Sequence, residues 1–122
     1  MLVLTRKSEQ TILIGENITV ALLGIDIDGA KLGISAPGDV IIHREELDPE
    51  DIPLMIHERH GGMLVLHRQA GEGVAIGETV FVRVLKMRSH RIKVGIDAPS
   101  DVKVERGENT SEGIPRRYKE RF

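Results

Sequence analysis

Short apolar runs, each closed by a cluster of turn-forming residues, set the rhythm of this chain. Leu2 to Lys7 begins apolar and β-branched and turns polar at Ser8-Glu9-Gln10. Thr11 to Ile14 is closed by Gly15-Glu16-Asn17, and Ile18 to Leu23 is a third run. Asp26 to Gly29 ends in an Asp-Gly pair, which suits a tight hairpin because glycine accepts positive φ. Ala30 to Ser35 is a fourth run, and Ala36-Pro37-Gly38-Asp39 is a turn in which proline fixes φ. Val40 to Arg44 completes five predicted strands.

The pattern then changes. Asp48-Pro49-Glu50-Asp51 reads as a helix start, with an Asp cap, a proline at the first helical position and acids in the first turn. Ile52, Leu54, Met55 and Ile56 follow, and Gly61-Gly62 is the stop. Pro53 shortens or shifts that helix.

At residue 63 the whole pattern starts again. Met1-Leu2-Val3-Leu4-Thr5-Arg6 returns as Met63-Leu64-Val65-Leu66-His67-Arg68, an offset of 62 residues. The offset holds without a gap through Ile14-Gly15-Glu16 and Ile76-Gly77-Glu78, and through Ala36-Pro37-Gly38-Asp39-Val40 and Ala98-Pro99-Ser100-Asp101-Val102. Over 47 aligned positions 19 are identical, which marks a duplication. The chain therefore divides into a first repeat (1–47), a helix and linker (48–62), a second repeat (63–109) and a C-terminal helix or tail (110–122). A lone repeat buries little apolar surface and leaves many strand edges open. The two repeats are therefore expected to pack together as one pseudo-symmetric β unit within a single chain.

Composition narrows the picture further. Aromatic residues are only 2% of the chain and there is no Trp, so the core must be built from Val, Ile and Leu, which favour strands. Without Cys there is no disulfide, thiolate metal site or cysteine nucleophile. No apolar run approaches membrane-spanning length, and Arg6, Lys7 and Glu9 interrupt the first one, so a cytoplasmic protein is expected. His57 and His60 stand three apart on the expected helix, but without a third ligand in view no metal is expected. No nucleophile–base arrangement or phosphate-binding glycine loop is present, so neither enzymatic activity nor a cofactor is expected.

Net charge is −2, but it is unevenly divided. Residues 1–62 carry five Lys/Arg against eleven Asp/Glu, and residues 63–122 twelve against eight. Such asymmetry points to partner binding or to attraction between the halves. Arg83, Lys86, Arg88, Arg91 and Lys93 form a basic cluster in the second repeat. It reads equally as an extension of a nucleic-acid surface, as a solvated hairpin, or as a face turned to the acidic first half.

Met-Leu-Val-Leu-Thr-Arg-Lys, then Ile-Gly-Glu, then Ala-Pro-Gly-Asp-Val-Ile-Ile-His-Arg-Glu-Glu resembles the CsrA/RsmA carbon-storage regulators. The likeness covers nearly all of both repeats. It implies a mainly β fold of two interlocked five-stranded repeats, a pseudo-dimeric sandwich or barrel with a short helix after each set. It implies binding to GGA-containing sites in messenger RNA leaders, with control of translation or transcript stability. Small regulatory RNA and a protein antagonist are the other partners it suggests; a membrane is not. Each RNA site of the family is shared between the first strand of one subunit and the fifth strand of the other. Carried over, the first repeat supplies Leu4, Arg6, Lys7, Ile42, His43 and Arg44. The second supplies Leu66, Arg68, Val104 and Arg106. Site one then joins Arg6 and Lys7 to Arg106, and site two joins Arg68 to Ile42, His43 and Arg44.

Taken singly, each arginine reads as a charged strand end that keeps an edge soluble. Recurring four times at family positions, they read as contacts to phosphates and base edges. Leu4 and Ile42 can support unstacked bases or belong to the core; both readings stand at this point. The second repeat departs from the family at Gln69, Glu105 and Gly107, where the first has Lys7, His43 and Glu45. Glu105 puts a carboxylate near site one, so site two is expected to bind more tightly. The acidic first half and Glu105 also suit a different reading, a family-derived module that engages a protein such as a flagellar assembly factor.

Overall fold

In a computed structural model, residues 1–44 and 63–107 are described. They form ten strands: β1 (Leu2–Arg6), β2 (Thr11–Ile14), β3 (Ile18–Ile25), β4 (Ala30–Ser35) and β5 (Ile42–Arg44) from the first repeat, then β6 (Met63–Arg68), β7 (Gly73–Ile76), β8 (Val80–Arg88), β9 (Arg91–Asp97) and β10 (Val104–Arg106) from the second. The helices expected within 48–62 and 110–122 lie outside the described residues, as do His57, His60 and the repeat boundaries after 47 and 109.

The strands make two five-stranded sheets, ordered β1-β9-β8-β7-β5 and β10-β2-β3-β4-β6, and every pairing is antiparallel. Each sheet is a three-strand meander from one repeat, flanked by the first and fifth strands of the other. The interlocked sandwich implied by the family resemblance is thus the fold. The exchange removes the difficulty of a lone repeat, because β1 and β5 of the first repeat close both sides of the second repeat's meander.

Side-chain alternation fixes which face turns inward. In β9, Ile92, Val94 and Ile96 are buried while Arg91, Lys93 and Asp97 are exposed. In β8, Val80, Val82 and Val84 face the same way. They meet Ile12, Ile14, Leu32 and Ile34 of the opposite sheet in one core that contains no aromatic residue. Both meanders carry a β-bulge at the same place, between Leu22 and Gly24 and between Val84 and Lys86. An extra residue there shifts the register, so that Lys86 rather than Leu85 lies opposite Lys93. The bulge also carries β3 past its expected end at Leu23 to Ile25. Val40 instead donates its N–H to the Pro37 carbonyl at 3.0 Å, closing the turn, so β5 begins at Ile42.

Gly15 and Gly77, which close β2 and β7, hold φ of 64° and 69°, a conformation glycine adopts without steric penalty. No helix among the described residues is long and apolar enough to cross a membrane. No group of His, Cys, Asp or Glu among them could hold a metal ion.

Because each sheet needs strands from both repeats, pairing within one chain leaves no strand to be supplied by a second molecule. We expect sedimentation at low micromolar concentration to report a monomer of 13.5 kDa. A concentration-independent 27-kDa species, about twice that mass, would mean that strands are exchanged between chains.

Candidate functional site

Two pseudo-equivalent places bring the first strand of one repeat to the fifth strand of the other. At the first, β1 ends at Arg6 and the chain turns through Lys7 to Gln10 into β2. Arg6 is 3% exposed. Its Nε donates to the Thr5 carbonyl at 2.8 Å and its Nη1 to the Thr11 carbonyl at 3.1 Å. Arg68 repeats the arrangement at 5% exposure: Nε donates to the His67 carbonyl at 2.9 Å and Nη1 to the Gly73 carbonyl at 3.2 Å. Glu72 Oε1 lies 3.8 Å from Arg68 Nη2. These guanidiniums tie the end of one strand to the start of the next.

The fifth strands arrive at the same two points. Arg106 of β10 lies opposite Ile12, next to Thr11. Arg44 of β5 lies opposite Val74, next to Gly73. Arg6 and Arg106 therefore converge on the start of β2, and Arg68 and Arg44 on the start of β7. Arg106 is exposed, while Arg44 and His43 are half-buried. Lys7 and its counterpart Gln69 are exposed in their turns, where their backbone N–H groups donate to Gln10 Oε1 and Glu72 Oε1, each at 2.7 Å.

The remaining residues of the set divide by burial. Leu4, Leu66 and Ile42 belong to the core, with Ile42 fully buried, and half-buried Val104 packs against it. Of the two readings open for Leu4 and Ile42, the core holds their side chains. What these positions can offer a ligand is backbone: β1, β5, β6 and β10 are the sheet edges, each with a single paired neighbour, so their outer N–H and C=O groups face away from the ladder. Arg6 and Arg68 likewise differ from the expected phosphate-contacting strand ends, because their donors are directed at backbone carbonyls. Sequence reasoning passed over Thr11 and Gly73, whose carbonyls anchor them. The available signal was strand parity, since Leu4 and Arg6, two apart in one strand, must share the inward face.

The electrostatics of the two places differ. Glu105, the carboxylate expected to weaken site one, has its Oε1 2.6 Å from Lys103 Nζ. This contact raises the Lys103 pKa above its ordinary value, chiefly through the hydrogen bond, and leaves the Lys103–Glu105 pair near neutral. At the other place His67 Nε2 lies 3.3 Å from Asp26 Oδ1. Asp26 also accepts the Asp28 and Gly29 N–H groups, both at 2.8 Å. The His67 bond first, then that from Asp28, hold the Asp26 carboxyl below the usual carboxylate range.

Gly107 shows that the repeats are fitted to each other. It is buried, and a Cβ there would collide with Thr11 Oγ1. In the sequence of the other half the equivalents of Gly107 and Thr11 are Glu45 and Gly73, so the small residue has changed sides. Gly107→Glu should lower stability by about 1–3 kcal/mol, as overpacking does. Adding Thr11→Gly should recover a large part, because the pair then reproduces the combination found in the other half. Thermal melts of the two variants check this, and strictly additive losses would deny the coupling.

The profile of the CsrA family, described as a global regulator protein family, matches residues 1–51 and again 63–112. Similar curated proteins include a protein named translational regulator CsrA from Nocardioides sp., 54% identical over 46 residues, which is 38% of this chain and 55% of that protein. A protein of the same name from Halothermothrix orenii is 53% identical over 47 residues, 38% of this chain and 58% of that protein. The aligned stretches thus span little more than half the length of these relatives. No solved structure matches the chain.

Proposed function

The chain belongs to the CsrA family of global regulators, with two family domains in one polypeptide, and from this we propose that it is an RNA-binding translational regulator with two composite sites. Its ligand is the GGA-containing leader of messenger RNA, and occupancy of a leader changes translation initiation or transcript lifetime. The observation that supports this reading most is the strand exchange. It sets Arg106 beside the Arg6 end of β1 and Arg44 beside the Arg68 end of β6, each next to an open sheet edge.

The roles differ by residue. Arg106 and Arg44 carry charge at the rim and contact phosphate or base edges through a planar, multiply donating group. Lys7 adds a cation at site one, and His43 adds a hydrogen-bonding ring at site two. The backbone edges at Leu4, Leu66, Ile42 and Val104 offer donors and acceptors to the edges of unstacked bases, the usual way single-stranded loops are read. Arg6 and Arg68 position these edges. Among the described residues neither site holds a Phe, Tyr or Trp, so stacking is left to the His43 ring and the guanidinium planes, and discrimination falls mainly to hydrogen bonds.

The test is a titration of the intact chain against a short hairpin presenting GGA in its loop, with a CCA loop as control. Tight binding of GGA and at least about tenfold weaker binding of CCA, roughly the penalty for one or two lost base contacts, supports the reading. Equal affinity for the two, or none for either, overturns it.

A further inference from the structure

The second repeat's β8–β9 hairpin is charged in a way its own stability does not explain. Lys86 lies directly opposite Lys93, and Arg88 directly opposite Arg91. All four are exposed on the outer face of the sheet. Like charges facing across a ladder repel, and among the described residues none of the four pairs with a carboxylate. At the equivalent positions the first repeat has Gly24, Asp26, Gly29 and Lys31, so its hairpin carries one cation and one carboxylate where the second carries four cations. Arg88 does border a groove shared with Asp26. Asp26 is a single carboxylate whose oxygen is already held by His67, Asp28 and Gly29, so against four cations it leaves the cluster strongly positive.

The sheet register decides which site this cluster serves. β9 pairs with β1, with Lys93 opposite Thr5 and Ile92 opposite Arg6. Thr5, Lys86, Arg88, Arg91, Ile92 and Lys93 together line a pocket of about 180 Å³. That is below the roughly 300–1,000 Å³ of a small-molecule site and suits a phosphate-sized group. It lies on the strand that ends at site one. The corresponding flank of site two is β4, paired with β6 so that Lys31 is opposite His67, with Asp26 bonded to that His67.

We propose that this pocket is a phosphate subsite for the RNA strand leaving site one, and that site one is therefore the dominant of the two. The inference rests on the RNA-binding reading above. It reverses the order expected from Glu105, because Lys103 offsets that carboxylate while four cations attract the phosphodiester backbone. The family's two-fold equivalence is broken in this chain: one site grips the recognised loop together with its flank, and the other grips the loop alone.

The test uses Lys86→Glu with Arg88→Glu in the full chain. This variant turns two like-charge cross-strand pairs into two opposite-charge pairs, so its melting temperature should be no lower than wild type. It is titrated with a GGA hairpin carrying a single-stranded flank, once with site two disabled by Arg44→Ala and once with site one disabled by Arg106→Ala. With site two disabled, affinity should fall at least about tenfold and the salt slope should flatten by about 0.7 for each phosphate released. With site one disabled, the charge change should matter by less than about twofold, the scale of residual long-range charge effects at physiological salt. A wild-type chain that binds GGA RNA while the charge change has no effect, or the same effect in both backgrounds, refutes the subsite alone. If wild type shows no preference for GGA over CCA, the RNA reading fails and the subsite with it.

Discussion

Replacing Arg44 and Arg106 together by alanine should abolish RNA binding and leave the fold almost untouched. Arg106 is exposed and Arg44 half-buried, and neither lies in the core. Truncating them removes no packing on which either sheet depends. A charge-assisted contact to RNA is worth about 1.5–3 kcal/mol, so each single variant should weaken its own site by roughly ten- to a hundredfold or more. The singles are not expected to be equal: Arg106→Ala should remove the high-affinity phase, and Arg44→Ala the weaker one. Isothermal titration with a single-GGA hairpin, read beside a thermal melt, separates the outcomes. Wild-type affinity in both singles would remove these residues from the site. A melting temperature that collapses in the double variant would make them structural instead.

That pair of arginines could be found from the repeat, and the other pair could not be interpreted from it. The duplication at an offset of 62, the bounds of β2 (Thr11–Ile14) and β4 (Ala30–Ser35), and an all-aliphatic core are all readable in the letters. They follow from short-range rules, namely alternation, turn residues and composition. The interlock needed the resemblance, because nothing in a strand's own sequence says which repeat supplies its neighbour. Burial of Arg6 and Arg68 was obscured because an arginine at a strand end reads as solvent-facing charge, although parity with Leu4 and Leu66 pointed inward. The inverted charge of the two hairpins is likewise present in the sequence, as Asp26 against Arg88 and Gly29 against Arg91. Its bearing on one site rather than both came only with the register that sets Lys93 beside Thr5.

Arg6 and Arg68 should prove to be stability residues before they are ligand residues. Each guanidinium is almost fully buried and donates to two backbone carbonyls that bracket a turn. Truncation to alanine removes charge-assisted bonds and takes a donor from the buried Thr11 or Gly73 carbonyl, at about 1–3 kcal/mol for such a group, while the part-buried Thr5 and His67 carbonyls cost less. It also opens a void beside the core, while the desolvation of a buried cation is relieved and gives part of this back. A loss of about 3 kcal/mol per site is therefore expected, and about 6 kcal/mol for Arg6→Ala with Arg68→Ala, against the 5–15 kcal/mol that a domain usually holds. The double variant should be largely unfolded at 37 °C. Arg6→Met separates the contributions, since it keeps most of the volume without the donors; it should lose only about 1–2 kcal/mol, the share of the unsatisfied carbonyls. Urea denaturation of Arg6→Ala, Arg6→Met and the double variant gives these values directly. Unmoved midpoints combined with lost RNA binding would show that these guanidiniums face the ligand and do not clamp the strands.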